Sequence, residues 1–220
     1  MVNLPFQDRS EAGRALGTEL AQRKLTNAVV LALPRGGLPV ANEVATALKA
    51  PLDVIVVRKL GAPWQPELAM GAICGSTRVL DQELIKMFGI SHDRIEMIVA
   101  RETKEMERRE KLYRGGLPAL QLPGRTVVLV DDGLATGSSM VAAVRQVRSL
   151  HPEKVIVAVP VGSSQACEWL RREADECVCL ATPEMFCAVG EWYVDFHQVS
   201  DSEVQEIMQR SHTTPVPKST

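Results

Sequence analysis

The residues with the most chemical potential lie in one run, Val127-Val-Leu-Val-Asp131-Asp132-Gly133-Leu-Ala135-Thr136-Gly137-Ser138-Ser139-Met140. An apolar stretch ends in two carboxylates, and a loop rich in Gly and hydroxyl residues leads straight into a helix pattern. Backbone N–H groups at a helix start, together with the helix dipole, suit a phosphate. Gly133 and Gly137 allow a tight turn and close approach of a ligand to the backbone. Thr136, Ser138 and Ser139 add hydroxyl donors. A phosphate alone does not call for two acids beside it, but paired sugar hydroxyls do, because they donate hydrogen bonds to carboxylates. The run therefore asks for a phosphorylated sugar. It has no Walker lysine, which disfavours a nucleoside triphosphatase.

A second run, Leu33-Pro34-Arg35-Gly36-Gly37-Leu38-Pro39, also stands between a strand pattern and a helix pattern. Arg35 supplies a cation, and Gly36–Gly37 permits unusual backbone geometry. Alone, this run is equally well read as a plain turn. A third cationic pair, Arg58-Lys59, follows the next apolar stretch.

Two acids followed by Ala-Thr-Gly and a hydroxyl residue, directly after an apolar strand, resemble the phosphoribosyl pyrophosphate (PRPP) signature of type I phosphoribosyltransferases. Gly61-Ala-Pro63-Trp-Gln-Pro66-Glu67-Leu-Ala-Met-Gly71-Ala-Ile73, with Tyr113-Arg114, resembles a bacterial phosphoribosyltransferase-like subgroup. The resemblance implies an enzyme that moves ribose 5-phosphate from PRPP to a nitrogen nucleophile, a nucleobase-like acceptor, and releases pyrophosphate. It implies that Asp131 and Asp132 hold the ribose hydroxyls and orient a Mg²⁺ shell through water, with no direct protein ligand to the metal. It implies that Ala135, Thr136, Gly137, Ser138 and Ser139 grip the 5′-phosphate. Arg35, Gly36, Gly37, Arg58 and Lys59 then hold pyrophosphate through backbone amides and cations, with Arg35 and Lys59 acting beside the acids in catalysis. The family loop equivalent to Pro34–Gly37 often has an unusual peptide geometry. Ala135 stands where relatives acting on 6-oxopurines carry a third acid, so hypoxanthine–guanine specificity is disfavoured. The alternative is a PRPP- or nucleotide-sensing regulator of the same fold.

The elements that must position these residues read as alternating strands and helices. Strands are expected at 28–33, 53–57, 126–130, 155–159 and 176–180, with helices near 8–24, 38–49, 138–150 and 163–174. This pattern predicts an α/β fold: a doubly wound, five-stranded parallel sheet in the order 2-1-3-4-5. Its ligand crevice lies between the first and third strands, where both loops emerge. The route from Arg58 to Arg125 is long and holds short strands at 69–74 and 78–80, then a charged helix at 92–114 ended by Gly115–Gly116. We expect one domain over residues 1–210, with a lid insertion at about 59–125, a hood from the terminal segments (about 181–210 at the C-terminus) and a disordered tail at 211–220. The lid helix, polar on nearly all faces, either offers Arg108, Arg109 and Arg114 for pyrophosphate or is a solvated helix held by i,i+4 pairs such as Glu105–Arg109 and Glu110–Arg114. Four aromatics of the hood, Phe186, Trp192, Tyr193 and Phe196, either stack on the acceptor or pin the segment to the core.

Composition excludes other classes. The chain has 220 residues, 45% hydrophobic and 24% charged, which is globular usage. Its net charge of −2 gives no pull toward nucleic acid or membrane, so neither is expected as a partner. No apolar run approaches the roughly 20 residues of a spanning helix, and the N-terminus lacks a signal-peptide pattern. The 5 cysteines include no CxxC pair and read as reduced thiols of a cytoplasmic protein, with Cys177 and Cys179 on one face of a strand. The 4 histidines have no ligand spacing, so a zinc enzyme is not expected. A homodimer is the expected assembly.

Overall fold

A computed structural model describes residues 3–213. In chain order the elements begin with α1 (Arg9–Ala21), β1 (Ala28–Ala32), α2 (Gly37–Leu48), β2 (Leu52–Val54), β3 (Val57–Ala62), β4 (Gln65–Cys74) and β5 (Thr77–Leu80). They continue with α3 (Gln82–Met87), α4 (His92–Arg114), β6 (Thr126–Val130), α5 (Ser138–Arg148) and β7 (Lys154–Val161). The chain closes with α6 (Ser164–Glu173), β8 (Glu176–Ala181), a 3-10 turn (Val189–Trp192) and α7 (Asp201–Thr213).

Every residue of β6 is buried, and so is every residue of β7 after Lys154. Strands apolar on both faces need cover on both sides, which parallel sheets with crossover helices provide. Five strands form such a sheet in the order β2-β1-β6-β7-β8, all parallel. This is the order expected from the sequence. Side chains alternate between two cores: Val30, Val128 and Ile156 pack with Leu16 and Leu38, while Val29, Leu129 and Val157 pack with Met140 and Leu170. Val178 joins the first core, and Cys177 and Cys179 pack against the second, as strand alternation requires. Cys74 and Cys167 are buried and Cys187 is exposed; all five thiols are free.

The long excursion contains a second, antiparallel sheet in the order β3-β4-β5. Here the expectation needs correcting. The apolar run Val54-Ile55-Val56-Val57 is not one strand. β2 stops at Val54, and Val57 opens β3, paired with Cys74. Arg58 and Lys59 therefore sit on a separate sheet and not on a loop after β2.

The charged helix α4 also differs from the expectation of a helix polar all round. Ile95, Val99, Glu102, Met106 and Tyr113 recur at helical spacing and form a buried stripe. Its C-terminal turn is fastened twice: the Tyr113 hydroxyl donates to Asp201 Oδ1 at 2.7 Å, and Arg114 donates from Nε to Asp53 Oδ1 at 2.9 Å and from Nη2 to the Val54 carbonyl at 2.8 Å. Arg114 is thus a counter-ion to a buried carboxylate and not a free lid arginine. α7 continues to Thr213, so residues 211–213 are helical where the sequence suggests a tail, and residues 214–220 lie outside the described residues. Among the described residues, no helix is long and apolar enough to cross a membrane.

Asp53 is 2% exposed and accepts from Arg114 and from the Leu120 amide at 3.0 Å. Removing the cation leaves a buried charge without its partner. Arg114→Ala should therefore cost about 3 kcal/mol of folding free energy, read by urea unfolding. A loss below about 1 kcal/mol, the scale of a surface pair, would show the contact to be incidental.

Candidate active site

The site is built where β1 and β6 end together. Ala32 pairs with Val130, and the Leu33 amide donates to the Val130 carbonyl at 2.9 Å. The two loops that follow are pressed against each other. A Cβ at Gly36 would stand 2.0 Å from Asp132 Oδ2, and one at Gly37 would stand 2.8 Å from the Val130 carbonyl and 2.9 Å from Asp131 Cα. Only glycine fits there. The Pro34–Arg35 peptide bond in the same loop is cis.

Each loop opens a helix through a glycine. Gly36 caps α2 and Gly137, at φ +83°, caps α5; neither N-terminus has a side-chain cap. By contrast, Asp8, Asp81 and Ser163 cap α1, α3 and α6 with side-chain oxygens. The first-turn N–H groups of α2 and α5 thus lack the side-chain acceptor found at α1, α3 and α6, as do those of α4 after Ser91; at the ends of β1 and β6 they are available to an anion. The α5 loop is held from below: Ser163 donates from its amide to Leu134 and from Oγ to the Ala135 carbonyl at 2.7 Å. Ala135 and Thr136 are exposed, and Ser138 and Ser139 are half-buried at the helix start.

The acid pair is largely out of water. Asp131 Oδ1 accepts from the Asp132 amide at 2.9 Å. Asp132 Oδ2 accepts from Arg9 Nε at 2.9 Å, with side chains 14% and 8% exposed. Burial pushes the Asp131 carboxyl well above the usual carboxylate range, and the neighbouring Asp132 charge pushes it further. Burial also raises Asp132, while the Arg9 guanidinium opposes the rise.

The two acids face different ways. A cleft of about 430 Å³ is lined by Asp131, Ser139, Pro34, Lys59, Arg58 and Arg109. Lys59 is exposed and has no ion pair among the described residues. Arg58 is held by Glu102 Oε2, at 2.9 Å from Nε and 2.7 Å from Nη2. Arg109 and Arg108 share Glu105, each with an Nε contact of 2.7 Å, and together they hold its carboxyl down at about 2. Asp132, Arg108 and Arg114 do not line this cleft, nor does Arg35, whose Nη1 lies 3.8 Å from Asp201. Of the basic residues proposed from sequence, the structure gathers Arg58, Lys59 and Arg109 beside Asp131. Arg101, which donates to Glu102 at 3.0 Å, joins them although the sequence did not single it out as a site residue.

The four hood aromatics serve mainly to pin the C-terminal segment. Tyr193 is buried, stacks on Phe196 at 5.1 Å, and donates its hydroxyl to the Asp132 carbonyl at 2.6 Å. Phe186 stacks on Trp192 at 6.3 Å. The Phe6 amide and carbonyl bond to the Trp192 carbonyl and the Val194 amide, so the two termini meet here. Sequence reasoning missed Arg9. The available signal was a cation on the buried stripe of α1, in line with Ala12, Leu16 and Leu20.

The phosphoribosyl transferase domain family matches residues 9–197, a span holding both loops and the acid pair. The chain belongs to the type I phosphoribosyltransferase family. Two curated proteins of Mycobacterium tuberculosis, strains CDC 1551 and H37Rv, are named as provisional phosphoribosyl transferases. Each is 46% identical over 208 residues, covering 94% of this chain and 47% of theirs. The chain thus spans about half the length of the curated relatives it matches. The TT1426 protein of Thermus thermophilus has the same fold, with a TM-score of 0.80 and 44% identity, covering 94% of this chain and 99% of that one.

Gly36→Ala tests the contact between the loops. The added Cβ overlaps the Asp132 carboxylate, so that side chain or one of the loops must move. We expect a stability loss of about 1–3 kcal/mol, as for other overpacked sites, and a changed chemical shift at the Asp132 carboxyl. Unchanged stability and an undisturbed carboxyl would mean that the loops are not in contact.

Proposed function

We propose that this protein transfers ribose 5-phosphate from PRPP to a nitrogen of a nucleobase-like acceptor, releasing pyrophosphate. The observation that carries the reading is the contact between the two glycine-capped loops and the acid pair between them. Such an arrangement suits one ligand bearing phosphate, vicinal hydroxyls and pyrophosphate. The N-terminus of α5, with Thr136, Gly137, Ser138 and Ser139, would take the 5′-phosphate. Asp131, open to the cleft, would accept from the ribose hydroxyls. The amides of Gly36 and Gly37 and the unpaired Lys59 would meet the pyrophosphate, with Arg109 available from the α4 wall. Arg35 would contribute through its main chain, since its side chain lies beside Asp201.

Two neighbouring carboxylates are hard oxygen donors, but they are too few to cage an ion. Among the described residues, no group of three or more His, Cys, Asp or Glu could hold one. This fits Mg²⁺ carried largely by water and substrate oxygens, with Asp131 and Asp132 orienting its water shell. When bound, Mg²⁺ would offset the charge of the pyrophosphate. In the reaction the C1–O bond to pyrophosphate breaks as the acceptor nitrogen bonds to C1, through an oxocarbenium-like transition state. Donors preset around the leaving group would stabilise the charge it gains. No carboxylate stands at Ala135 to take the acceptor's N–H proton, which would pass to water or to the departing pyrophosphate, so most of the acceleration would come from the leaving-group side.

Pyrophosphate release with PRPP, Mg²⁺ and a panel of bases tests the assignment. Turnover with at least one base is expected. PRPP binding without turnover on any base would favour the sensing alternative. Gly137→Val puts a β-branched side chain at φ +83° and should abolish ribose 5-phosphate binding. Full affinity in that variant would mean that the loop does not cradle phosphate.

Asp131→Asn separates function from stability. Because the folded-state carboxyl titrates above its ordinary range, its ionisation destabilises the fold as pH rises through that value. Asn keeps the acceptor for the Asp132 amide and removes the charge. We expect a higher Tm at neutral pH, no gain at acidic pH, and weaker ribose 5-phosphate binding. A neutral-pH Tm at or below wild type would contradict the burial argument.

A further inference from the structure

We propose that Cys167 and Cys179 form a site of reversible disulfide formation beneath the α5 loop, and that their oxidation moves the turn supporting that loop and weakens its hold on phosphate. The loss of phosphate affinity rests on the function proposed above; the thiol chemistry and the movement of the loop do not.

Three of the 5 cysteines converge although they come from two elements. Strand alternation turns Cys177 and Cys179 of β8 to the face covered by α6, and Cys167 of α6 enters the same core. Cys177 and Cys179 both donate S–H bonds to the Cys167 sulfur. A Cβ at Gly162 would stand 3.0 Å from Cys167 Sγ and 3.4 Å from Cys179 Sγ, so these two sulfurs flank one point of the main chain. Cys167 is fully buried, whereas Cys177 and Cys179 are half-buried, and all three thiols are free. Packing alone would be served by any small apolar side chain, but only thiols in mutual contact can also be joined.

The joint on which these thiols sit carries the α5 loop. Gly162 pairs with Leu134 as an isolated bridge. The next residue, Ser163, donates from its amide to the Leu134 carbonyl at 2.9 Å and from Oγ to the Ala135 carbonyl at 2.7 Å. The Cys167 amide donates to the Ser163 carbonyl at 3.0 Å, closing the first turn of α6. In that turn Ala166 lies beneath the loop, 3.4 Å from where a Cβ at Gly137 would stand. On the strand side, the Ala181 carbonyl accepts from the Gly162 amide and from the Cys179 thiol, each at 3.1 Å. A disulfide brings its two sulfurs to about 2.0 Å, well inside non-bonded contact. Either the first turn of α6 or the end of β8 must therefore shift, and Ser163 and Ala166 belong to that turn.

Hydrogen peroxide, small enough to reach a half-buried thiol, is the oxidant. The Cys179 sulfur attacks one peroxide oxygen. The S–O bond forms, the O–O bond breaks, and the departing hydroxide takes the thiol proton and leaves as water. The Cys167 sulfur then attacks the sulfenic sulfur of Cys179. The S–S bond forms, the S–O bond breaks, and the released hydroxide takes up a proton from solvent. Two thiols are oxidised and one peroxide is reduced to two waters. The S–H bonds from Cys177 and Cys179 hold the Cys167 thiol well below its usual range, which favours the thiolate in the second step. The S–H bond to Cys167, together with burial, raises the Cys179 thiol, so the first step sets the rate.

The test treats the reduced protein with hydrogen peroxide. It reads free thiols, disulfide-linked peptides by mass, the amide NMR signals of residues 134–137 without ligand, and ribose 5-phosphate affinity. Cys187→Ala removes the exposed thiol that would otherwise couple two molecules. On that background two thiols should disappear into an intramolecular disulfide, and the loop signals should shift. Affinity should fall about tenfold, the scale of one lost hydrogen-bonded support. Dithiothreitol should restore all three readings. C177A should behave in the same way, and C179A should keep its affinity under peroxide, with C179S as the second variant should C179A not fold. Three outcomes would overturn the proposal: no disulfide, a disulfide that leaves the loop signals in place, or an equal affinity loss in C179A and C179S. So would a loss that dithiothreitol does not reverse, because it marks oxidation beyond the disulfide. If the reduced protein bound no ribose 5-phosphate, the functional reading would fall instead, while the thiol count and the loop signals would still decide the oxidation site.

Discussion

Asp131 and Asp132 stand where a fully buried strand meets the surface, and burial there makes two adjacent negative charges costly unless they are answered at close range. The structure answers them one at a time. Asp132 receives a bonded guanidinium, and Asp131 receives a backbone amide and the nearby charge of Lys59. Much of the remaining architecture follows from bringing those groups to one point. The order β2-β1-β6-β7-β8 sets the glycine loop after β1 against the acids after β6, because connections from these neighbours leave on opposite sides. α1 and the C-terminal segment then cover the outer side of Asp132, leaving Asp131 to the cleft.

The second sheet acts as a fixed wall. β3 carries Lys59 toward Asp131 while its neighbour Arg58 reaches Glu102 on the buried stripe of α4. The C-terminal turn of α4 is bound to β2 through Arg114 and to α7 through Tyr113. A helix that looks like an all-polar arm is thus tied at its middle to β3 and at its C-terminal turn to β2 and α7. Its exposed turns, and not the whole element, are the parts free to respond to a ligand.

What was legible in the sequence follows from how local each signal is. β1, β6 and β7 stand out because residues buried on both faces form continuous apolar runs. The acids, the glycine loops and the α5 start are contiguous motifs, so their chemistry could be read directly. β3 was hidden because Val54–Val57 is one apolar run in which a change of sheet leaves no periodic mark. The α4 stripe was obscured by Glu102, a charged residue on a buried face. Arg9 was only faintly marked, as a cation on the buried stripe of α1: its partner lies 123 residues away, so the local pattern could not name what it pairs with. The hood aromatics drew notice by clustering, but whether they stack on a ligand or on each other depends on where the N-terminus comes to lie.

Charge accounting around the cleft narrows how pyrophosphate could be met. Arg114 neutralises Asp53, which is 2% exposed, and withdrawing that cation would strand a buried carboxylate at a cost of several kcal/mol. Arg114 is committed to the fold. Glu102 is shared by Arg58 and Arg101, and Glu105 by Arg109 and Arg108, so the departure of one arginine leaves either acid still paired. Glu102 is only 9% exposed in its side chain, which makes the Arg58 contact the costlier one to give up. Glu105 is 29% exposed in its side chain, where water screens whatever charge is left. Releasing Arg109 therefore costs little, and a pyrophosphate offers it a stronger partner than the shared carboxylate. The cations that could bind this leaving group are thus the unpaired Lys59 and the loosely held Arg109. The remainder of the grip would fall to the backbone amides of the glycine loop, which need no counter-ion to be displaced before they can act.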